Sequence, residues 1–520
     1  MAPDLLATGG APVAGLDYDD DHVLHAPSLR FAVAADPFGH TGGGAADPKE
    51  DARRLIAAVD AALARRADAD VEALEIDLVH SCCDKYVTLP PGGFHVLQHH
   101  HAADVTPARV AAWLGFAARR ITGSLSLAVP TLPRTKASAS PAAREEEEER
   151  LRRVELPAMA RAESISLRLG DARLAVPSAA AGSFTALSEL LLSQVRIDPG
   201  GADEFNLGRL LSAACCPRLR WLRLEHITGL AALRVAAAAT LEEVALDCLT
   251  DMTALELDAP GLRALRVTGC CRMMDGEAAA AEAGARISAP VLETLACPYL
   301  CHPDRLQLDG AAESVRRLED IAVFTHGYPG QNDAAVALLR RCAAAHSLQV
   351  KISPFDQAYG GKDPEEMMSV VPQLPNIISL NIDAERAPHI EASIAKFISR
   401  CSRVERISVD IGKMSHRCFS SGEGEWDDKI SLEHLREANI TGFRPSEQGA
   451  RLVKLMIAGA PALQRMTVKY ARKGLDDGNL PCDRGHWALC ETSGSSKRRV
   501  YEWMPVKETG EECSHILSKF

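Results

Sequence analysis

The sequence predicts an α/β solenoid, a curved stack of coils in which each strand is followed by a returning loop, strand or helix. Three observations predict it. Residues 216 to 268 repeat one template: an apolar residue, two others, an apolar, one other, an apolar. Leu219, Leu222 and Leu224 fit it, then Leu241, Val244 and Leu246, then Leu262, Leu265 and Val267, with starts 22 and 21 residues apart. A second register, offset by half a coil, runs through Leu230, Leu233 and Val235, then Met252, Leu255 and Leu257. The chain is therefore expected to go out along one strand and return along another. Alternating leucines have the strand period, and equal spacing stacks each strand on its predecessor. No single coil buries its leucine row alone, so many must stack into one core, the signature of a leucine-rich-repeat solenoid. The third observation is composition: aromatics are only 5%. Alanine and leucine fill the space instead, as a repetitive aliphatic core requires.

At 520 residues the chain has room for several compact domains or for one long solenoid with end pieces. Hydrophobic content of 47% and charged content of 25% are those of an ordinary soluble protein. A net charge of −12 argues against a nucleic-acid binder or an anionic-membrane binder, whose footprint is basic. Fifteen cysteines are thin over this length, and Cys82-Cys83, Cys215-Cys216 and Cys270-Cys271 are tandem pairs. Adjacent cysteines are poor disulfide partners, so scattered ones are expected to act as small buried hydrophobes. The amino terminus lacks a basic start and an apolar segment, and no long uncharged apolar run follows. The expectation is an intracellular protein, cytoplasmic or nuclear, neither secreted nor membrane-bound.

In chain order, residues 1 to 70 read as an irregular segment with one helix from Pro48 to Arg66. Residues 71 to 430 read as the solenoid, beginning with Val71, Leu74, Ile76 and Leu78. A polar Pro/Gly loop follows, and then Thr106-Pro107 starts a helix that offers Trp113, Leu114 and Phe116 to the core. Leu125, Leu127 and Val129 give a strand, and residues 131 to 150 form a low-complexity, charge-rich insert read as a solvated linker. The template resumes at Ile165, Leu167 and Leu169, then Leu187, Leu190 and Leu192. DEFNLGRLLSAACC has helical spacing, so that coil returns through a helix. Helix-plus-strand coils come later, with Ile377, Leu380 and Ile382, then Val404, Ile407 and Val409. Residues 431 to 470 read strand (Leu435 to Ile440), helix (Glu447 to Ala458), strand (Leu463 to Val468), and residues 471 to 520 as a polar tail.

Particular phrases resemble a known family. CCPRLRWLRL, LEEVALD, ALELDAPGLRALRV and ISAPVLETLACPYLCHPDRLQL look like the repeat region of the large plant F-box/leucine-rich-repeat family. ITGFRPSEQGARLVKLMIAGAPALQRMTV looks like its carboxy-terminal FBD unit. ARVAAWLGFAARRITGSLSLAVP and VELPAMARAESISLRLG also match segments common in it, so the likeness runs over residues 71 to 470. The resemblance implies the substrate-recognition part of a cullin-RING ubiquitin ligase receptor. Members usually begin with an F-box, the helical module that grips the ligase adaptor. Its leucine-proline opening and later Ser-Arg-Arg-Trp phrase are not found; Asp4-Leu5-Leu6 is only a faint echo, and the segment from His25 to Phe31 looks like what normally follows the module. The chain thus resembles a member whose adaptor-binding module is missing, and adaptor binding is expected only if a cryptic F-box exists.

No catalytic constellation is expected. The sequence has no GxSxG, no P-loop and no glycine fingerprint after a strand, and Gly42-Gly43-Gly44 lacks the following Lys-Ser/Thr. His95, His99, His100 and His101 sit in a loop without carboxylate or thiolate partners at ligand spacing. Cys482, His486 and Cys490, with Cys513 and His515, match zinc spacing poorly. Lys497-Arg498-Arg499 is shorter than a useful import signal. Neither a metal nor a cofactor is therefore expected. What remains is surface, which points to an unidentified protein partner. Residues between buried leucines face outward, here Arg223, Ala245 and Arg266, with Trp221, Glu225, Glu243 and Asp247 at the flanks. Trp221 and Arg223 share one strand face, and these residue types most often anchor interfaces. The alternative is that Trp221 packs on a neighbouring coil and Arg223 pairs with Glu243 or Glu225. The candidate surface is thus Trp221, Arg223, Glu225, Glu243, Asp247 and Arg266.

Overall fold

A computed structural model describes residues 27–32, 48–79, 86–89, 93–96, 105–129, 153–178, 183–198, 202–249, 251–270, 284–297, 305–327, 332–353, 365–366, 368–386, 390–414, 430–443, 447–470, 485–490 and 500–505. The histidines at 99 to 101, Cys482, Cys513, His515, the tandem Cys82-Cys83, Gly42 to Gly44, Lys497 to Arg499 and the insert at 131 to 150 lie outside them. The fold is α/β, dominated by long parallel sheet with few helices. The chain divides into two compact units, Met1–Leu262 and Arg263–Phe520.

In the first unit the strands are β1 (Ser28–Ala32), β2 (Val71–Asp77), β3 (Tyr86–Leu89), β4 (Gly93–Val96), β5 (Ile121–Ala128) and β6 (Arg153–Glu155). Then come β7 (Ser164–Ala175), β8 (Glu189–Arg196), β9 (Trp221–Glu225), β10 (Ala232–Ala236), β11 (Glu243–Asp247) and β12 (Ala254–Asp258). A parallel sheet runs β1-β2-β5-β7-β8-β9-β11, with β6 against β7, while β10 pairs with β12 in a separate sheet. The offset leucine register therefore does form a second set of strands. Leu233 lies opposite Leu255 there, and Val235 opposite Leu257. In the main sheet Leu190, Leu222 and Val244 align, as do Leu192, Leu224 and Leu246, all buried.

Three helices belong to this unit: α1 (Pro48–Arg65), α2 (Pro107–Arg120) and α3 (Ala202–Leu210). Thr106 caps α2, its hydroxyl accepting the Arg109 N–H at 3.3 Å, and Arg119 and Arg120 close the last turn where cations suit the helix dipole. Trp113 is buried, and its indole N–H donates to Asp60 of α1 at 2.8 Å. The loop expected between β2 and α2 holds an antiparallel pair instead, β3 with β4.

The second unit holds β13 (Ala264–Thr268), β14 (Gly284–Ser288), β15 (Thr294–Ala296), β16 (Leu306–Asp309), β17 (Arg317–Phe324), β18 (His326–Gly327) and β19 (Ser347–Ser353). It continues with β20 (Glu365–Glu366), β21 (Ser379–Arg386), β22 (Arg406–Met414), β23 (Glu437–Phe443), β24 (Arg465–Tyr470), β25 (Gly485–Cys490) and β26 (Val500–Pro505). Its parallel sheet runs β13-β15-β17-β19-β21-β22-β23-β24, and β14 pairs with β16. The chain returns through α4 (Asp333–Arg341) between β17 and β19, α5 (Ile390–Ile398) between β21 and β22, and α6 (Glu447–Gly459) between β23 and β24. Leu318, Leu348, Leu380, Ile407, Ala438 and Met466 form one buried row, and Ile321, Val350, Ile382, Val409, Ile440 and Val468 the next. The polar tail contains the antiparallel pair β25 and β26, which its composition does not suggest.

The first apolar residue of the template lies in a turn rather than in the strand. Leu219, Leu241, Leu262, Leu292, Val404 and Leu463 each donate their N–H to the carbonyl three residues back. The next two N–H groups share one carbonyl of the preceding strand's approach; those of Glu242 and Glu243 meet Arg220 O, and those of Glu405 and Arg406 meet Ile378 O. This is why the template reads x-x before its alternating pair. A tight turn occupies that gap, and its buried leucine plugs the corner.

Candidate interaction surface

Parallel pairing at 22-residue offsets puts the candidate residues of the first unit on one outward face. Trp221, Arg223 and Glu225 of β9 lie opposite Glu243, Ala245 and Asp247 of β11, while Leu222 and Leu224 point inward. Trp221 is half-buried, and the Arg220 guanidinium stacks on its ring at 4.3 Å. Arg220 in turn grips the Glu242 carboxylate, at 2.9 Å in its shortest contact, and this hydrogen bond holds its pKa above the usual arginine range. Trp221 is thus clamped by a cation that a carboxylate orients. Arg223 is exposed and pairs with Glu225 on its own strand, not with Glu243.

The sixth candidate, Arg266, belongs to the second unit, on β13. It pairs with Glu319 of β17 at 2.8 Å. The same outward face carries a groove of about 500 Å3 lined by Arg317, Glu319, His346, Gln349, Asn381 and Arg406, with Ser347 and Ser379 in register between the two arginines. Further along these strands lie Asp320, Asp383, Glu385 and Asp410. Partial burial raises the pKa of Asp383, with Asp410, Glu385 and Asp320 adding to the rise and Lys351 opposing it. Lys351 pairs with Glu385 at 3.0 Å, and the Thr441 hydroxyl donates to Asp410 at 2.6 Å. One end of the face is cationic and the other anionic.

Three residues that the sequence reading passed over as ligands meet at strand ends of the first unit. One ligand atom each from His226, Asp247 and Cys248 falls within 4.8 Å of the others. His226 and Cys248 both take left-handed backbone, φ 50° and 54°, and Gln194 repeats it at 52° after β8's first half. The His226 N–H donates to Asp247 O at 2.8 Å. Three mixed N, O and S ligands make up part of a tetrahedral set. The signal was the 22-residue step that carries position 226 onto 248.

Cys215, Cys216, Cys270, Cys297, Cys342 and Cys401 are buried, as expected of small hydrophobes, and these six and Cys248 are free thiols. Burial pushes the Cys216 and Cys401 thiols up to about 12 and Cys342 to about 11, so all three stay protonated and unreactive. No known family model matches this sequence, and no curated protein matches it either. Among the described residues no helix is long and apolar enough to cross a membrane.

The groove residues were legible too. Arg317 and Arg406 occupy, two residues after the leading apolar of their templates, the place that Trp221 holds in its own. Sequence reasoning carried the outward-face argument only through residues 216 to 268.

Proposed function

We propose that the chain is a leucine-rich-repeat solenoid acting as a non-catalytic protein-interaction scaffold. It resembles the substrate-recognition region of an F-box/leucine-rich-repeat receptor of a cullin-RING ubiquitin ligase. The observation that carries the reading is the division of labour along each strand. Inward positions form unbroken apolar ladders, and outward positions present charged and aromatic groups that the core does not use. Support for the solenoid comes from the parallel register at 22-residue steps and from the second strand set made by the returning chain. In this reading binding is the whole mechanism, the partner is a protein in the cytoplasm or nucleus, and the outward face reads it.

The test is affinity capture of the expressed chain, probed for the ligase adaptor and cullin beside a full-length family member. Adaptor capture supports the receptor reading. Without it, and with the control working, the second reading stands: an adaptor-deficient paralogue that sequesters a target or competes with complete receptors.

A further inference from the structure

We propose that the groove on β17, β19, β21 and β22 binds an extended acidic peptide, taking two of its carboxylates on Arg317 and Arg406. The inference rests on reading the outward face as an interaction surface. It starts from an imbalance. This chain has 70 acidic and 58 basic side chains, so arginines find carboxylates easily. Several outward arginines do so, Arg220 with Glu242, Arg263 with Glu293, Arg266 with Glu319 and Arg286 with Asp309, though exposed Arg196 and Arg465 have no such pair among the described residues. Arg317 and Arg406 are exposed, and among the described residues neither has a salt bridge or a side-chain hydrogen bond. Both line the same groove.

Spacing specifies the ligand further. Arg317, Ser347, Ser379 and Arg406 lie in direct register on four consecutive strands. Neighbouring strands are about 4.8 Å apart, so the two arginine Cα atoms stand roughly 14 Å apart. Extended chain covers that span in about four residues. Between the arginines, the two serine hydroxyls and the Gln349 and Asn381 amides offer hydrogen bonds to a backbone crossing the strands. Guanidinium forks bind carboxylates bidentately, and the His346 imidazole adds a polar edge. Glu319 lines the groove, and Asp383 and Asp410 stand beyond it. These carboxylates repel a phosphate, with its charge near −2, more than a singly charged carboxylate. The ligand is therefore a run of Asp or Glu.

The test is fluorescence anisotropy on the full chain at low salt. Its probes are a labelled decapeptide of alternating glutamate and glycine, the same peptide with glutamine, and the same with phosphoserine. The glutamate peptide is expected to bind and the glutamine peptide to fail. The Arg317→Ala/Arg406→Ala double variant should weaken binding by about tenfold or more. Lysine at both positions should give an intermediate affinity, because charge remains but the fork is lost. Arg119→Ala on α2 removes one exposed positive charge in the other unit and should change nothing. Circular dichroism checks that each variant folds. The inference is overturned if the wild type binds no glutamate peptide, if the double variant binds it equally well, or if phosphoserine binds more than tenfold tighter. None of these bears on the scaffold reading, which adaptor capture tests separately; failure of that capture leaves the anisotropy result intact.

Discussion

The stretch from β9 to β12 and the stretch from β17 to β24 solve the same burial problem in two ways. In the first, Arg220 meets Glu242 and Gly229 meets the Asp251 carboxylate at 22-residue steps, and the chain returns through a strand. In the second, Ile407 lies opposite Leu380 across 27 residues, and the return between those two strands is the helix α5. A returning five-residue strand brings only Leu233 and Val235, or Leu255 and Leu257, to the core. A helix such as α5 brings Ile390, Ile394, Phe397 and Ile398. The lesson concerns compliance. Two sheets facing each other are held by ladders on both sides, whereas a helix slides as a body to close a gap.

That difference can be broken by paired substitutions. Leu257→Ala on the strand return should cost about 3–5 kcal/mol, and Leu339→Ala on α4 about 2–3 kcal/mol, because the helix collapses part of the cavity. Urea midpoints of the two variants measure the order, and equal losses would sink the compliance argument. Next in size is Gly459→Ala at the end of α6. An added Cβ would lie 2.0 Å from the Ile430 carbonyl oxygen, in the turn segment before β23, so the helix end and that segment must move apart, at about 1–3 kcal/mol. If the cost is negligible, α6 is more compliant than its close approach implies.

On the outward faces the expected effects shrink. Trp221→Ala should lose about 0.5–1 kcal/mol of cation–π attraction beyond its buried area, seen as non-additivity with Arg220→Ala. The Arg220–Glu242 pair itself, half-exposed, should couple by less than about 1 kcal/mol and fade in salt. The smallest effect concerns Asp383. Its folded pKa is raised by partial burial, aided by Asp410, Glu385 and Asp320. Its protonated form is therefore favoured by folding, a contribution present below the ordinary carboxylate value and lost as pH rises through the folded value. Asp383→Asn should flatten that slope, so thermal midpoints across pH 3 to 7 should diverge from wild type in favour of the variant as pH rises.

Much of the architecture was legible before any coordinates. The helices at Pro48, Pro107 and Glu447 and the strands around Leu222, Val244, Leu265, Leu380 and Ile407 stand where spacing put them. They did so because burial demands an apolar residue at each inward position, and periodicity records that demand. Strand pairs β3–β4 and β25–β26 were missed, since these short runs stand outside the fixed repeat, in Pro/Gly-rich or charged surroundings. The strand assigned from Leu435 begins at Glu437, because Leu435 belongs to the turn that precedes it.

The sequence by itself determined which residues face the core and how far apart the strands recur. It named Arg223, Ala245 and Arg266 as outward for the same reason. Only the tertiary structure decided what those outward residues do. Arg223 turns to Glu225, Arg266 reaches Glu319, and Arg220 covers Trp221, while Arg317 and Arg406, unpaired among the described residues, stand over a groove. Inward identity follows from a one-dimensional period, because every inward site wants the same apolar chemistry. Outward pairing depends on register between strands 22 to 32 residues apart and on the reach of each side chain. Neither is written in the period.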